Sequence, residues 1–276
     1  MNALKGSSAR KEAPHDISGT NFAAYRAGSV VLDYKNSTDL QPAERAILTS
    51  LQSKFRNKRI LDIGVGSGRT TSHLLDISKN YIGIDYSPEM IKVCKERYPS
   101  VDFEVRDARS LSDIADDSFD LILFSFNGID YVSHSDRMLI LAEIARVLSK
   151  SGAFIFSSHN RNAKVRKPWD LSNLRRNPSG GPIFVPTSVL RYGIGIMRHS
   201  MRAKFETQTD EYAIINDPGN GYRLLTYYIG IRQQLQQLEC AGFGDIQAFN
   251  RQGKQMQENE YNCCADGWIY YRCYAR

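Results

Sequence analysis

A chain of 276 residues can form one large α/β domain, or one domain carrying a sizeable insertion. Its apolar share of 42% and charged share of 24% describe an ordinary soluble globular protein. A formal charge of +6 and a pI near 9.0 point to anionic partners. The five cysteines (Cys94, Cys240, Cys263, Cys264, Cys273) form no CxxC pair, which excludes a disulfide framework and an ordinary zinc chelate. No metal site is expected, and an odd thiol count fits a reducing compartment. The opening "MNALKGSSARKEAPHDISGT" lacks a signal peptide's apolar core, and no window reaches the roughly 18 apolar residues of a membrane span. The expected location is the cytoplasm.

Along the chain, residues 1 to about 20 are polar and predict disorder. "QPAERAILTSLQSKF" sets Ala43, Ile47, Leu48 and Leu51 on one helix face. "KRILDIGVG" predicts a buried strand and "SGRTTSHLLDIS" a helix opening from its glycines. "NYIGIDY" is a second strand, and "SPEMIKVCKERYP" a helix capped by Ser87 with Pro88 in its first position. "VDFEVRD" and "FDLILFSF" are strands three and four. "DRMLILAEIARVLSK" is an amphipathic helix expected to stop at Gly152, and "AFIFSSH" is the fifth strand.

Short apolar strands separated by helix-length segments imply parallel pairing through right-handed crossovers, with both sheet faces covered. Residues 160 to about 225 then lose steady periodicity, with Pro168, Pro178, Pro182, Pro186 and Pro218 among them. Within them, "ETQTDEYAIINDPGNGYRLLTYYIG" predicts two strands joined around "DPGNG". The helix "IRQQLQQLECAGF" and the strands "GDIQAFN" and "GWIYYRCYA" close the chain. The predicted fold is a doubly wound α/β architecture: a mainly parallel, seven-stranded sheet with a substrate-covering insertion after the fifth strand. Its parts are a flexible N-terminus and lid (1–40), a cofactor-binding core (41–160), a basic insertion (161–226) and closing elements of the core (227–276). The ligand belongs at the carboxyl ends of the strands. The hairpin either closes the pocket or pairs between the subunits of a homodimer.

The glycines of "ILDIGVGSGRT" decide which ligand that is. Gly64, Gly66 and Gly68 are spaced GxGxG, and Arg69 stands where a dinucleotide site needs a third packing glycine. No GK[ST] follows, so a Walker loop is excluded as well.

"LDIGVGSGRT" resembles the first motif of the class I S-adenosylmethionine-dependent methyltransferases, acidic-x-Gly-x-Gly-x-Gly, with Asp62 in the acidic position. Three further motifs follow in order at strand ends, and the likeness covers roughly residues 55 to 160 plus the closing elements. The resemblance implies a Rossmann-like sheet with S-adenosylmethionine as cofactor. Asp62 then organises its ammonium end, while Gly64, Gly66, Gly68 and the adjoining Arg69 form the loop beneath. Asp85 accepts from the ribose hydroxyls, Tyr86 faces adenine, and Asp107 and Ala108 read the adenine edge. Ser125 and Phe126 wall the cofactor, with Asn127 beside them and Tyr34 in a lid.

For the acceptor side, His159 at the fifth strand's end is the candidate base, with Asp130 as a weaker one and Tyr131 facing the acceptor. A structural role for His159, holding the insertion, is the competing reading. Arg161, Lys164, Arg166, Lys167, Arg175, Arg176, Arg191, Arg198, Arg202 and Lys204 stand against Asp170 alone between residues 161 and 204. That excess suggests an anionic acceptor. The leading expectation is methyl transfer to oxygen or nitrogen of a small anionic metabolite, such as a sugar nucleotide or a carboxylated compound. Transfer to RNA (tRNA) is the alternative, and a non-catalytic cofactor-binding module acting on a protein partner is the third reading.

Overall fold

The computed structural model describes residues 17–26, 39–171 and 185–276. Helix α1 (Ile17–Arg26) precedes α2 (Pro42–Leu51), and then strands and helices alternate. They run β1 (Ile60–Ile63), α3 (Thr71–Ile77), β2 (Tyr81–Asp85), α4 (Pro88–Arg97), β3 (Asp102–Val105) and β4 (Phe119–Phe124). A single 3-10 turn (Gly128–Tyr131) leads into α5 (His134–Val147) and β5 (Leu148–Asn160). Helix α6 (Val185–Arg202) is followed by β6 (Thr207–Gln208), β7 (Tyr212–Asn216) and β8 (Leu225–Ile229). The chain closes with α7 (Ile231–Cys240), β9 (Phe243–Phe249) and β10 (Trp268–Ala275). Among the described residues no helix is long and apolar enough to cross a membrane.

The sheet runs β3-β2-β1-β4-β5 in parallel, with β10 antiparallel beside β5 and β9 beyond it. These are the seven expected strands. The period-two pattern divides them between two cores. Leu61 and Ile63 of β1, with Ile122 and Phe124 of β4, pack against Ile140, Leu141 and Ile144 of α5. Ile60, Leu121 and Leu123 pack on the other face against Ile47 and Leu48 of α2 and Leu74 of α3.

The hairpin forms around "DPGNG" as expected, but it joins the central sheet and, with β6 paired on β7, raises the count among the described residues to ten strands. Strand β4 pairs with β5 as far as Phe124–Phe156, and β10 pairs along the opposite edge of β5 as far as Trp268–His159. The edge left open beyond β4 is taken by β8, in the pairs His159–Tyr228 and Asn160–Ile229. The hairpin is thereby held over the point where β4 ends. It also has an apolar core of its own, in which Ile17 of α1 meets Tyr212, Ile214, Leu225, Tyr227 and Ile229.

Two expectations are corrected. Helix α5 ends at Val147, and "SKSG" belongs to β5; the left-handed residue there is Ser151 (φ 66°), and Gly152 does not cap the helix. The stretch 185–202, expected to lack periodicity, is an 18-residue helix. Pro186 lies in its first turn, where no backbone donor is lost, so the proline reads as a start and not as a break.

The last residue of β4 locks the carboxyl end of the sheet. The Phe124 ring lies where a Cβ on Gly64 would meet Cε2 at 2.8 Å, and where one on Gly128 would meet it at 2.3 Å. Gly128→Ala should therefore lower stability by about 1–3 kcal/mol through overpacking. Phe124→Leu, which removes the offending ring atom, should make the same Gly128→Ala change cost less. Urea unfolding of the two single variants and the double variant measures that coupling, and strict additivity would refute the wedge.

Candidate active site

A cavity of about 500 Å³ opens at the carboxyl ends of β1, β2 and β4, bounded on one side by Ser18 and Gly19 of α1. Its floor is the loop after β1. Gly64 (φ +61°) and Gly66 (φ +57°) take left-handed conformations, and both line the cavity. The Gly66 N–H donates to Asp85 Oδ2 (3.0 Å), while the Cys94 thiol donates to the Gly66 carbonyl (3.0 Å). Gly68 (φ +82°) is not part of the lining; a Cβ there would meet the Tyr98 ring at 2.9 Å. Its place is in packing the loop on α4.

Asp85 sits at the end of β2 with its carboxyl at the cavity wall. Its Oδ1 accepts from the Ser87 N–H (2.9 Å), and burial raises the group to about 6 against those two backbone donors. Tyr86 and Ala108 line the same side. Asp107 also lines the cavity, but Arg109 holds it, with Nη2 2.7 Å from Oδ2 and the backbone N–H 2.9 Å from Oδ1. Burial would raise the Asp107 carboxyl, yet the Arg109 hydrogen bonds and charge outweigh it and hold the group below its ordinary value. Arg109 reaches on to Asp136 (3.1 Å), which accepts from Ser18 Oγ. A polar chain thus joins the cavity wall to α1.

Asp62 lies beneath the loop, fully buried and outside the cavity lining. Its Oδ2 accepts from Thr70 Oγ1 (2.6 Å) and the Tyr81 hydroxyl (3.0 Å), and among the described residues Oδ1 has no hydrogen-bond partner. Burial raises this carboxyl to about 7. The side chain ties the start of α3 to β2 and does not reach into the cavity, contrary to the expectation for the ammonium end of a ligand.

Arg69 does line the cavity. Its guanidinium pairs with Glu44 through two contacts (2.7 and 2.8 Å), donates to the Asp39 carbonyl, and lies over the Phe126 ring at 5.1 Å. Glu44 escaped the sequence reading because a glutamate three residues after a helix cap reads as a capping box, which it also forms with Gln41.

A second polar centre adjoins the first. The loop after β4 carries two successive left-handed residues without glycine, Phe126 (φ 55°) and Asn127 (φ 59°). Ser125, Phe126 and Tyr131 line the cavity, whereas Asn127, Asp130 and His159 stand next to it without lining it. Asp130 is fully buried with both oxygens saturated. Oδ1 accepts from Arg137 Nη1 (2.6 Å) and Ser158 Oγ (2.7 Å), and Oδ2 lies 2.6 Å from the His159 N–H and 2.7 Å from its Nδ1. A carboxylate so engaged is no base for an acceptor, which corrects that expectation.

The same contacts define His159. A carboxylate can only accept, so Nδ1 carries a proton, and in the neutral imidazole that leaves the lone pair on Nε2. Asn127 Nδ2 stands 3.5 Å from Nε2, and the Asn127 amide N–H donates to Ser157 Oγ (2.9 Å). The rings of Tyr228, Trp268 and Tyr131 surround the imidazole at centroid distances of 5.0, 6.1 and 6.3 Å.

Arg137 was invisible to sequence reading, because one arginine on an amphipathic helix reads as surface; here it is fully buried. Asn21 was missed as well. Its amide donates to the carbonyls of Tyr131 and Leu225 (2.8 Å each) and accepts from the Leu225 N–H, pinning α1 to both the 3-10 turn and the hairpin. Tyr34, Arg175 and Arg176 lie outside the described residues, and Tyr25 falls in α1. None of the described basic residues between Arg161 and Lys204 lines the cavity. Arg198, Arg202 and Arg223 gather instead around the hairpin loop, where burial and like charge lower Arg198.

Residues 60–152 match a family model described as a methyltransferase domain. A demethylmenaquinone methyltransferase of Renibacterium salmoninarum is 35% identical over 111 residues, 40% of this chain and 45% of that protein. The magnesium-protoporphyrin O-methyltransferase of Rhodobacter capsulatus is 26% identical over 51% of this chain and 63% of that protein. The chain spans about half the length of the curated relatives it matches. Among solved structures, the 1,6-didemethyltoxoflavin-N1-methyltransferase of Burkholderia thailandensis shares the fold at a TM-score of 0.56 with 14% identity, over 100% of this chain and 93% of that one. Residues 60–152 thus match a methyltransferase domain, and the ordered loop and strand-end carboxylates sit in a fold shared with S-adenosylmethionine-dependent methyltransferases of known structure.

Proposed function

We propose that this chain transfers a methyl group from S-adenosylmethionine to a protic oxygen or nitrogen of a small, anionic molecule. The carrying observation is the Asp130–His159 pair, in which the carboxylate holds Nδ1 and leaves Nε2 to face the aromatic side chains beside the cavity. The cavity suits the donor. Its floor is glycine backbone, with a carboxylate at one strand end and apolar residues such as Met90, Val105 and Ala108 around it. In this reading the loop from Gly64 to Gly66 passes under the amino-acid part, Asp85 accepts from the ribose hydroxyls, and Tyr86 and Ala108 flank adenine. The donor supplies an electrophilic methyl group on a sulfonium.

The protein's own contribution is alignment, exclusion of water and removal of one proton. Alignment of two reactants can supply several kcal/mol of the barrier, about 7–11 at best. His159 takes the acceptor's proton at Nε2, and Asp130 holds the ring in the tautomer that permits it. The chain's formal charge of +6 favours an acceptor bearing negative charge. The names of the relatives, which state a quinone and a porphyrin as acceptors of those proteins, support a small molecule here. A labelled-methyl screen of small organic acids, nucleotide sugars and bulk tRNA tests the assignment. Labelling of tRNA alone would overturn it.

Two further outcomes are expected. His159→Gln should lower kcat by about 10²–10⁴-fold while leaving the calorimetric affinity for S-adenosylhomocysteine unchanged. An unaltered kcat would leave His159 a structural residue.

The second concerns pH. Burial holds the Asp85 carboxyl at about 6, so the empty protein retains a proton there that an unperturbed aspartate would have lost. Ribose hydroxyls donate, and so bind the carboxylate form; binding must therefore expel that proton below pH of about 6. Affinity for S-adenosylhomocysteine should strengthen as pH rises from about 5 to about 7, with proton release at the acid end. Asp85→Asn should weaken binding about tenfold or more and flatten that dependence. Calorimetry in two buffers of different ionisation enthalpy reads both effects.

A further inference from the structure

The wall between the donor cavity and His159 is aromatic, and its rings are not fully buried. Phe126, Tyr131 and Trp268 each keep part of their surface exposed, while the imidazole they approach is only 8% exposed. Phe126 meets Trp268 edge-on at 5.0 Å, and Trp268 meets His159 edge-on at 6.1 Å. Partly exposed rings converging on one acceptor nitrogen leave apolar surface in water that a flat ligand would cover.

Two polar groups beside this wall are already committed. The Tyr228 hydroxyl donates to Asp217 Oδ2 (2.7 Å), and Arg69 is paired with Glu44. A sugar would bring several hydroxyls to a surface with few partners for them. Arg251 differs from Arg69: its guanidinium lies 5.4 Å over the Trp268 ring, and among the described residues it forms no ion pair. A cation stacked on the same ring is suited to meet an acidic substituent.

The base bears on the acceptor's acidity as well: a phenol yields its proton to an imidazole far more readily than an aliphatic alcohol does.

We infer that the methyl acceptor is a planar aromatic compound with an ionisable ring hydroxyl, seated against Phe126, Tyr131 and Trp268 with that hydroxyl at His159 Nε2. Arg251 faces its acidic substituent. The inference rests on the methyl-transfer reading and narrows its acceptor from any small anion to an aromatic one. In the reaction the hydroxyl proton passes to Nε2 and the oxygen's electron pair forms the bond to the methyl carbon. The carbon–sulfur pair stays on sulfur, giving a methyl ether and S-adenosylhomocysteine, and the imidazolium then loses its proton to water.

The test compares ligands matched in charge and hydroxyl placement. Protein saturated with S-adenosylhomocysteine is titrated calorimetrically with 4-hydroxybenzoate, 6-hydroxy-2-naphthoate and 4-hydroxycyclohexanecarboxylate. The aromatic acids should bind at least tenfold more tightly than the saturated one. Trp268→Leu should erase that preference, and Arg251→Gln should weaken all three acids alike. In a Trp169→Phe protein, whose one remaining tryptophan is Trp268, the aromatic acids should quench fluorescence saturably. Equal affinity for aromatic and saturated ligands, or no binding by either aromatic acid, overturns the aromatic acceptor while the methyl-transfer reading stands. Failure of S-adenosylhomocysteine itself to bind overturns both.

Discussion

The buried ion pair between Asp130 and Arg137 (2.6 Å, both side chains fully buried) is the contact on which the site depends. Removing two charges from water costs several kcal/mol each, and their attraction offsets that only if the remaining donors and lone pairs are satisfied. Here they are. Arg137 Nε donates to Gln237, Nη1 also reaches the Ile129 carbonyl, and Nη2 donates to Ser158 and Gln234, with the Tyr227 ring 4.6 Å beneath. These partners come from α7, the 3-10 turn, β5 and β8. The pair therefore joins the parts of the chain that meet beyond the end of β4. It also explains how a carboxylate can be held ionised in the interior, and a carboxylate there fixes the imidazole tautomer.

Backbone strain on the other side of the turn serves the same arrangement. Phe126 and Asn127 hold left-handed conformations that cost non-glycine residues of order 1–2 kcal/mol each. Their neighbours over-determine the geometry. The Phe124 ring is wedged between Gly64 and Gly128, Arg69 covers Phe126, and Ser157 accepts from the Asn127 N–H. Phe126 thereby acquires two neighbourhoods, the donor floor through Arg69 and the His159 cluster through Trp268. One strained residue links the two halves of the site.

Legibility in the sequence followed the range of the interactions concerned. Strand and helix order, the glycine loop and the positions of Asp85, Asp107, Ser125 and Phe126 at strand ends were readable, because each depends on local periodicity and backbone geometry. What those side chains bond to was not. Asp107 is held by Arg109, two residues away, yet its carboxylate reads as free in sequence. Asp62 occupies the motif's acidic position, but its bonds to Thr70 and Tyr81 put it beneath the loop. Glu44, Arg137 and Asn21 find partners 25, 97 and 204 residues away, and pairings at such distances leave no periodic trace. Helix α6 was missed for another reason. Gly193 and Gly195 interrupt it and Pro186 stands at its start, residues that read as a loop.

The same division separates what relatives share from what this chain does with it. The matched domain spans residues 60–152, which covers the glycine loop, Asp85, Asp107 and the turn with Asp130. It ends before His159, Tyr228, Arg251 and Trp268. The donor half is built mainly from backbone turns at strand ends, which tolerate wide sequence change so long as the glycines and the carboxylate stay in place. The proposed acceptor half is built from side chains of β5, the hairpin and β10, brought together by β8 pairing on the edge that β4 leaves free. The acceptors named for the relatives therefore point to a small molecule without saying which one. The aromatic cluster around His159 is the better guide, because on the proposed reading it consists of the groups that the acceptor touches.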